Sequence, residues 1–263
     1  MATPKLDENG LLLSKRLENV VRDPFCFFSI DDYLPSDLYR SLLASFPEDT
    51  RYTYNQEGKM GFRSSEDPEA VGRFAAGHPE WRQLVEFFGS DAFVYDARET
   101  LAEALLDARG LSGRKPWYNC THREVSDNWL RYQLQEPMRT THQFSLLPRD
   151  ACVVPHADAP RKLVSLLLYF RDPDWEDAWG GGTEFYVPRD PEKARKWRPT
   201  DRIPFEEFET IATSGFRGNR LAGFVRSASS FHGVRPVTCP TGKTRKALLI
   251  NLKRLKWSKR HIL

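Results

Sequence analysis

The sequence predicts a mainly β protein, a sandwich or barrel, flanked by helices from its N-terminal part. Three observations carry this. Nine short strand-like runs follow Gly113 with no clear helical pattern between them: 116–122, 129–135, 142–147, 151–156, 163–170, 184–187, 221–226, 234–238 and 246–252. Turn residues separate many of them, at Pro148-Arg149-Asp150, Gly180-Gly181-Gly182 and Pro240-Thr241-Gly242. Residues 1–110 instead carry their apolar side chains at helical spacing.

In chain order, Leu11, Leu12, Leu13, Leu17, Val20 and Val21 predict a first helix. Ser36 or Asp37 caps a second, carrying Leu38, Tyr39, Leu42, Leu43 and Phe46 and ended by Pro47. Residues 81–88 and 98–108 repeat the pattern, with Gly110 as a stop, and residues 50–68 are polar enough to read as a loop. Residues 189–220 hold 14 charged residues and three prolines, too long for a hairpin loop, and predict an insertion that could cover a site.

Composition narrows the function classes. A chain of 263 residues with 40% hydrophobic and 13% aromatic residues can bury a core without staples and is not disordered. The most apolar run, Leu163 to Phe170 with Ser165 inside it, falls well short of the ~18–20 residues a membrane helix needs. The first ten residues lack the basic and apolar regions of a signal peptide, so the sequence predicts a cytoplasmic protein without a membrane partner. Cys26, Cys120, Cys152 and Cys239 form no CxxC pair, which argues against a disulfide framework or a cysteine zinc site. The net charge of +3 comes from a C-terminal end bearing Lys253, Arg254, Lys256, Lys259 and Arg260; without them 34 bases face 36 acids. One short basic end is far from a nucleic-acid-binding face, even with Trp257 inside it.

The chemistry concentrates in His156-Ala157-Asp158. On an extended segment, residues two apart share a face, so the imidazole and the carboxylate project together. His232 follows 76 residues later, within Ser229-Ser230-Phe231-His232-Gly233-Val234. Two histidines and one carboxylate are the facial donor set of non-haem Fe(II) oxygenases, which leaves three coordination positions open. Arg245, 13 residues after His232, precedes the run Lys246 to Leu252 and is placed to clamp a carboxylate bidentately; Lys243 and Arg235 are alternatives for that clamp.

The stretches Pro155 to Asp158, Arg161 to Tyr169, Trp179 to Phe185, His232 to Val237 and Gly242 to Leu248 resemble, in order, the iron(II)/2-oxoglutarate-dependent oxygenases, in particular their prolyl-4-hydroxylase-like branch. The resemblance covers about residues 129–253. It implies a double-stranded β-helix, a jelly-roll or cupin-like barrel, buttressed by the N-terminal helices. It implies one catalytic domain: residues 1–113 as helical support, 114–253 as the barrel with insertion 189–220, and 254–263 as a basic tail. By position, His156, Asp158 and His232 would bind Fe(II), and Arg245 the distal carboxylate of 2-oxoglutarate. Tyr169 and Ser165 match positions whose hydroxyls help hold that carboxylate, whereas Ala247 replaces a frequent serine or threonine. Related halogenases have a small residue where Asp158 stands, so hydroxylation is favoured.

The implied activity is a dioxygenase that consumes 2-oxoglutarate and O2, with ascorbate as an accessory reductant, and hydroxylates a small polar or amino-acid-like molecule. Competing readings are a peptide side-chain hydroxylase, a non-catalytic jelly-roll binding module, a zinc hydrolase on the same triad and a nucleic-acid-directed oxygenase. Substrate contacts are expected from residues 50–68, 114–142 and 189–220, with Arg123, Arg131, Arg161 and Trp117 as candidates.

Overall fold

The computed structural model describes residues 6–256 except 19, 48–51, 56, 110–114, 122, 123, 125–128, 199 and 200. Gly110, Gly113, Arg123, Trp257 and the tail beyond Lys256 lie outside the described residues.

Two antiparallel sheets face each other. The larger contains β1 (Phe27–Ile30), β2 (Thr53–Tyr54), β3 (Met60–Arg63), β4 (Trp117–Asn119) and β5 (Glu136–Pro148). The smaller begins with β6 (Val153–His156); β7 (Lys162–Phe170) returns to the larger. β8 (Thr183–Pro188) and β9 (Phe208–Ser214) belong to the smaller sheet, β10 (Leu221–Val225) to the larger, β11 (Phe231–Val234) to the smaller and β12 (Thr244–Arg254) to the larger. The order is β1-β10-β7-β12-β5-β3-β2 in one sheet, with β4 parallel to β5, and β6-β11-β8-β9 in the other. Chain crossing between two facing sheets in this way is the double-stranded β-helix that the sequence implied.

Helices cover the larger sheet on its outer side: α1 (Leu13–Arg16), α2 (Ser36–Ala44), α3 (Pro68–Gly77), α4 (Pro79–Phe88), α5 (Asp91–Thr100) and α6 (Ala102–Arg109). Two short helices follow, α7 (Trp129–Leu134) and α8 (Pro191–Ala194). Val164, Leu166, Leu168 and Phe170 of β7 pack with Trp81, Leu84, Phe144, Leu248 and Ile250 in the outer core. Leu167 and Tyr169 point the other way, into the inner core with Leu147, Phe185, Phe224 and Ala247. Both faces of β7 are therefore buried, which explains its uninterrupted apolar run. Trp81 anchors the helical layer: it is fully buried, and its Nε1 donates to the Ser45 carbonyl at 3.1 Å.

Several local expectations are corrected. Among the described residues of 9–21 the helical ones are a short 3-10 turn (Asn9–Leu11) and α1; Val21 pairs instead with Phe27 through two 3.0 Å backbone hydrogen bonds, so sheet pairing overrides helical spacing. The segment 50–68 contains β2 and β3, whose Met60 and Phe62 are buried on alternate positions. The expected strand 129–135 is instead helix α7 (Trp129–Leu134), with Arg131 reaching Gln135 just past its end at 2.8 Å; so short an apolar run does not settle the period. The supposed insertion 189–220 is divided: Phe208–Ser214 is an outer strand of the smaller sheet and pairs with β8. The strand expected at 234–238 lies at Phe231–Val234, ending before Pro236, which has no N–H to give to a ladder. Strand β1 and helix α3, capped by Asp67 accepting from Ala70 N at 2.8 Å, were not expected.

Candidate active site

His156 ends β6 and His232 sits in β11, directly opposite in the antiparallel register. Their ring centroids are 4.5 Å apart. Asp158 follows just past the end of β6, with Oδ1 4.0 Å from His156 Nε2. One donor atom from each residue lies within 4.8 Å of the others, the one such cluster found among the described residues. Gly233 permits this approach: a Cβ there would stand 2.5 Å from the Val153 carbonyl on β6.

The hydrogen bonds prepare all three side chains for a cation. His156 Nδ1 is 2.9 Å from the Val154 carbonyl, and His232 Nδ1 is 3.1 Å from that of Ser230. Carbonyls only accept, so each Nδ1 carries its proton and each Nε2 keeps a free lone pair. Burial lowers both imidazoles, His232 to about 3 with His156 adding to the effect, so both are neutral near pH 7. Burial works against the charged Asp158 carboxylate, but Lys162 and the two imidazoles outweigh it and hold the group well below the usual range. Two neutral nitrogens and one anionic oxygen fit a divalent first-row metal with open positions.

The Asp158 carboxylate is also oriented. Ser165 Oγ donates to Oδ2 at 2.6 Å, and Lys162 Nζ donates to Oδ1 at 2.5 Å. Asn251 meets Ser165 from β12 at 3.1 Å. Ser165 thus stands beside the metal-ligating candidates; the structure does not bring it to Arg245 as the sequence reading expected.

Arg245 occupies the same cavity, about 570 Å3 in volume, which is lined by His156, Asp158, His232 and Thr183 among others. Its side chain is 2% exposed, yet no carboxylate pairs with it among the described residues. Nε donates to the Gly181 carbonyl at 2.7 Å. Gly181 has φ +94°, and a Cβ on it would stand 3.2 Å from Arg245 Cγ, so the triple-glycine turn shapes the guanidinium's seat. Tyr169 lies 5.0 Å from the guanidinium, and its hydroxyl donates to Thr183 Oγ1 at 2.8 Å. A buried cation without a counter-charge is costly, and a bound carboxylate would supply one. Gln143 Nε2, also lining the cavity, is buried without a partner. Both observations fit an anionic cosubstrate such as 2-oxoglutarate. The alternatives for the clamp are engaged elsewhere: Lys243 with Asp174, and Arg235 with Glu184 at 3.1 Å.

A second, contiguous cavity of about 880 Å3 opens over His156 and Asp158 and includes Asn55, Glu57, Lys59, Arg63, Asp201 and Arg202. Residues of 50–68 and 189–220 therefore contribute to its wall. The named candidates do not: Trp117 is in the outer core, Arg131 lies over Tyr118 and pairs with Asp91, and Arg161 is exposed. Lys59, Lys162, Thr183 and Asn251 were not singled out. Thr183 and Lys162 adjoin or fall inside quoted motifs, whereas Lys59 had no local signal.

No helix among the described residues is long and apolar enough to cross a membrane. No curated protein matches the sequence. Among solved structures, a Pseudomonas putida prolyl-4-hydroxylase is 16% identical, over 95% of this chain and 97% of that one, with a TM-score of 0.46. A Trichoplax adhaerens prolyl hydroxylase, solved with a hypoxia inducible factor oxygen degradation domain peptide fragment, is 14% identical over 86% and 83% of the two chains, with a TM-score of 0.50. Residues 142–253 match the family described as the 2OG-Fe(II) oxygenase superfamily, and that span contains the triad, Ser165, Tyr169 and Arg245. That match makes the protein a 2-oxoglutarate-dependent non-haem iron dioxygenase, an enzyme that takes Fe(II), 2-oxoglutarate and O2.

Proposed function

We propose that the protein hydroxylates an unactivated C–H bond of a small polar or amino-acid-like substrate. His156, Asp158 and His232 hold Fe(II), and Arg245 holds the distal carboxylate of 2-oxoglutarate. The observation that carries this reading is the buried, unpaired Arg245 in the cavity that also contains the His-Asp-His cluster. Bound iron supplies the redox chemistry by which O2 converts 2-oxoglutarate to succinate and CO2 and hydroxylates the substrate.

The chain's own residues prepare that chemistry. The Val154 and Ser230 carbonyls fix the imidazole tautomers, and Ser165 fixes the carboxylate plane. Thr183 joins the Tyr169 hydroxyl to Arg245, 3.5 Å from the guanidinium. Tyr169 therefore supports the clamp both through Thr183 and by its own contact with the guanidinium. Val153, Leu167, Phe224, Val234 and Leu249 line the cavity and exclude water. The Asp158 carboxylate occupies the position that halogenases leave to a halide, which supports hydroxylation. A cavity of a few hundred Å3 suits a small ligand.

Succinate release measured with Fe(II), 2-oxoglutarate and ascorbate over amino acids, sugars and peptides tests the proposal. Stimulation by a small polar compound is expected. Stimulation by peptides alone replaces the substrate class with the one seen in the Trichoplax enzyme. Absence of a thermal shift with metal and 2-oxoglutarate leaves only a binding module.

A further inference from the structure

Beyond Arg245, the inner face of the larger sheet carries further positive charge that the cosubstrate clamp does not account for. Arg245, Ala247, Leu249 and Asn251 alternate along β12, and Lys253 is the next position on that face. Lys253 stands directly opposite Lys162 of β7 on one side and Arg139 of β5 on the other. Like charges placed directly across a ladder destabilise it. Lys162 is answered by Asp158. Lys253 and Arg139 have no ion pair or side-chain hydrogen bond among the described residues.

The positive charge continues toward β3. Arg63 lies opposite Gln143 on β5, and its guanidinium folds back over Gly61, where an added Cβ would stand 3.0 Å from it. Lys59, just before β3, lines both cavities, and its ammonium has no ion pair or hydrogen bond among the described residues. Burial, with Arg245, Lys162 and Arg63 adding to it, lowers the Lys59 ammonium to about 7; burial and Lys162 also lower Lys253.

The acids nearby are already engaged. Asp158 belongs to the metal cluster, Glu57 pairs with Arg202, Asp201 accepts from Arg198 N at 2.7 Å, and Glu66 takes Arg63 at 2.6 Å on its exposed side. Lys253 is eight residues from Arg245 along one strand, about 26 Å at strand rise. Lys253 therefore stands apart from the 2-oxoglutarate clamp, whereas Lys59 shares a cavity with Arg245 and with Asp158.

We propose that the substrate carries an anionic group, a carboxylate or a phosphate, that docks on Lys59 and Arg63 in the wall of the cavity over Asp158 and on Lys253, which stands opposite Lys162. This deepens the oxygenase reading and rests on it. The anion would supply the missing counter-charge and fix which part of the molecule reaches the metal.

The test uses the full chain loaded with Mn(II) and 2-oxoglutarate, with calorimetry of matched probes: N-acetylaspartate against N-acetylasparagine, and glucose 6-phosphate against glucose. At least tenfold tighter binding of the charged member of one pair is expected, weakening with added salt. The first pair reports a carboxylate and the second a phosphate. The Lys59→Gln/Lys253→Gln double variant should lose the preference, and Lys59→Arg/Lys253→Arg should restore it. Equal binding of charged and neutral members, no binding of either, or a preference that survives in the Gln double variant overturns the inference. Failure of the wild-type protein to bind Mn(II) and 2-oxoglutarate would instead overturn the underlying reading.

Discussion

Ser165 donates a 2.6 Å hydrogen bond to Asp158 Oδ2, joining the middle of a strand buried on both faces to the carboxylate beside the two histidines. On the proposed reading the serine positions the carboxylate that would bind the metal, and its hydroxyl is engaged by Asp158. Ser165→Ala should weaken metal binding by about 10–100-fold, the usual effect of removing a partner of a ligand. Metal titration measures this. The affinity for 2-oxoglutarate at saturating metal should hardly change; a selective loss there would return Ser165 to the cosubstrate.

Metal removal gives a simpler outcome. His156→Ala and Asp158→Ala should each retain no stoichiometric iron after dialysis and release no succinate. Elemental analysis and a succinate assay read both. Full turnover in either variant would reject the triad.

Arg245 tests the other end of the cavity. Arg245→Gln should raise the KM for 2-oxoglutarate roughly 10–100-fold, the scale of a lost charge-assisted hydrogen bond. Arg245→Lys should not restore the clamp, because an ammonium lacks the fork that meets a carboxylate in two places. Thr183→Val should give a smaller effect in the same direction. An unchanged KM in Arg245→Gln would place the carboxylate elsewhere.

His142 offers a test of stability that leaves the site alone. It is buried in the larger sheet, its Nε2 has no partner, and burial lowers its pKa from 6.5 to about 4. Between those values the unfolded chain binds a proton that the folded one does not, so stability falls as pH drops through this window. His142→Leu should remove that slope. The melting temperature of the variant should gain on the wild type as pH goes from 6.5 to 4, and parallel curves would contradict the assignment.

Residues whose roles depend on their nearest neighbours along the chain are legible in the sequence. His156 and Asp158 share a face because alternate residues of an extended chain do, and the glycine turn before Thr183 has the φ it needs. The strand-rich second half and helical first half follow from periodicity, which is also local. The one-helix reading of 11–21 and the loop reading of 50–68 fail where sheet pairing, of Val21 with nearby Phe27 and of Met60 to Arg63 with distant β5, outweighs propensity.

The sequence by itself determined the donor types, their order and the architecture that could assemble them. Tertiary structure alone decided which of them meet. Pairing of β6 with β11 sets His232 opposite His156 across 76 residues. Burial without a counter-ion separates Arg245 from Lys243 and Arg235, which found carboxylates of their own. The hydroxyl of Ser165 turned to Asp158, and Lys59 entered the cavity wall from a segment with no motif. The physical reason is common to all of these: a side chain's chemistry is written in the residue, but its partner and its dielectric surroundings come from strands that meet only when the sheets close.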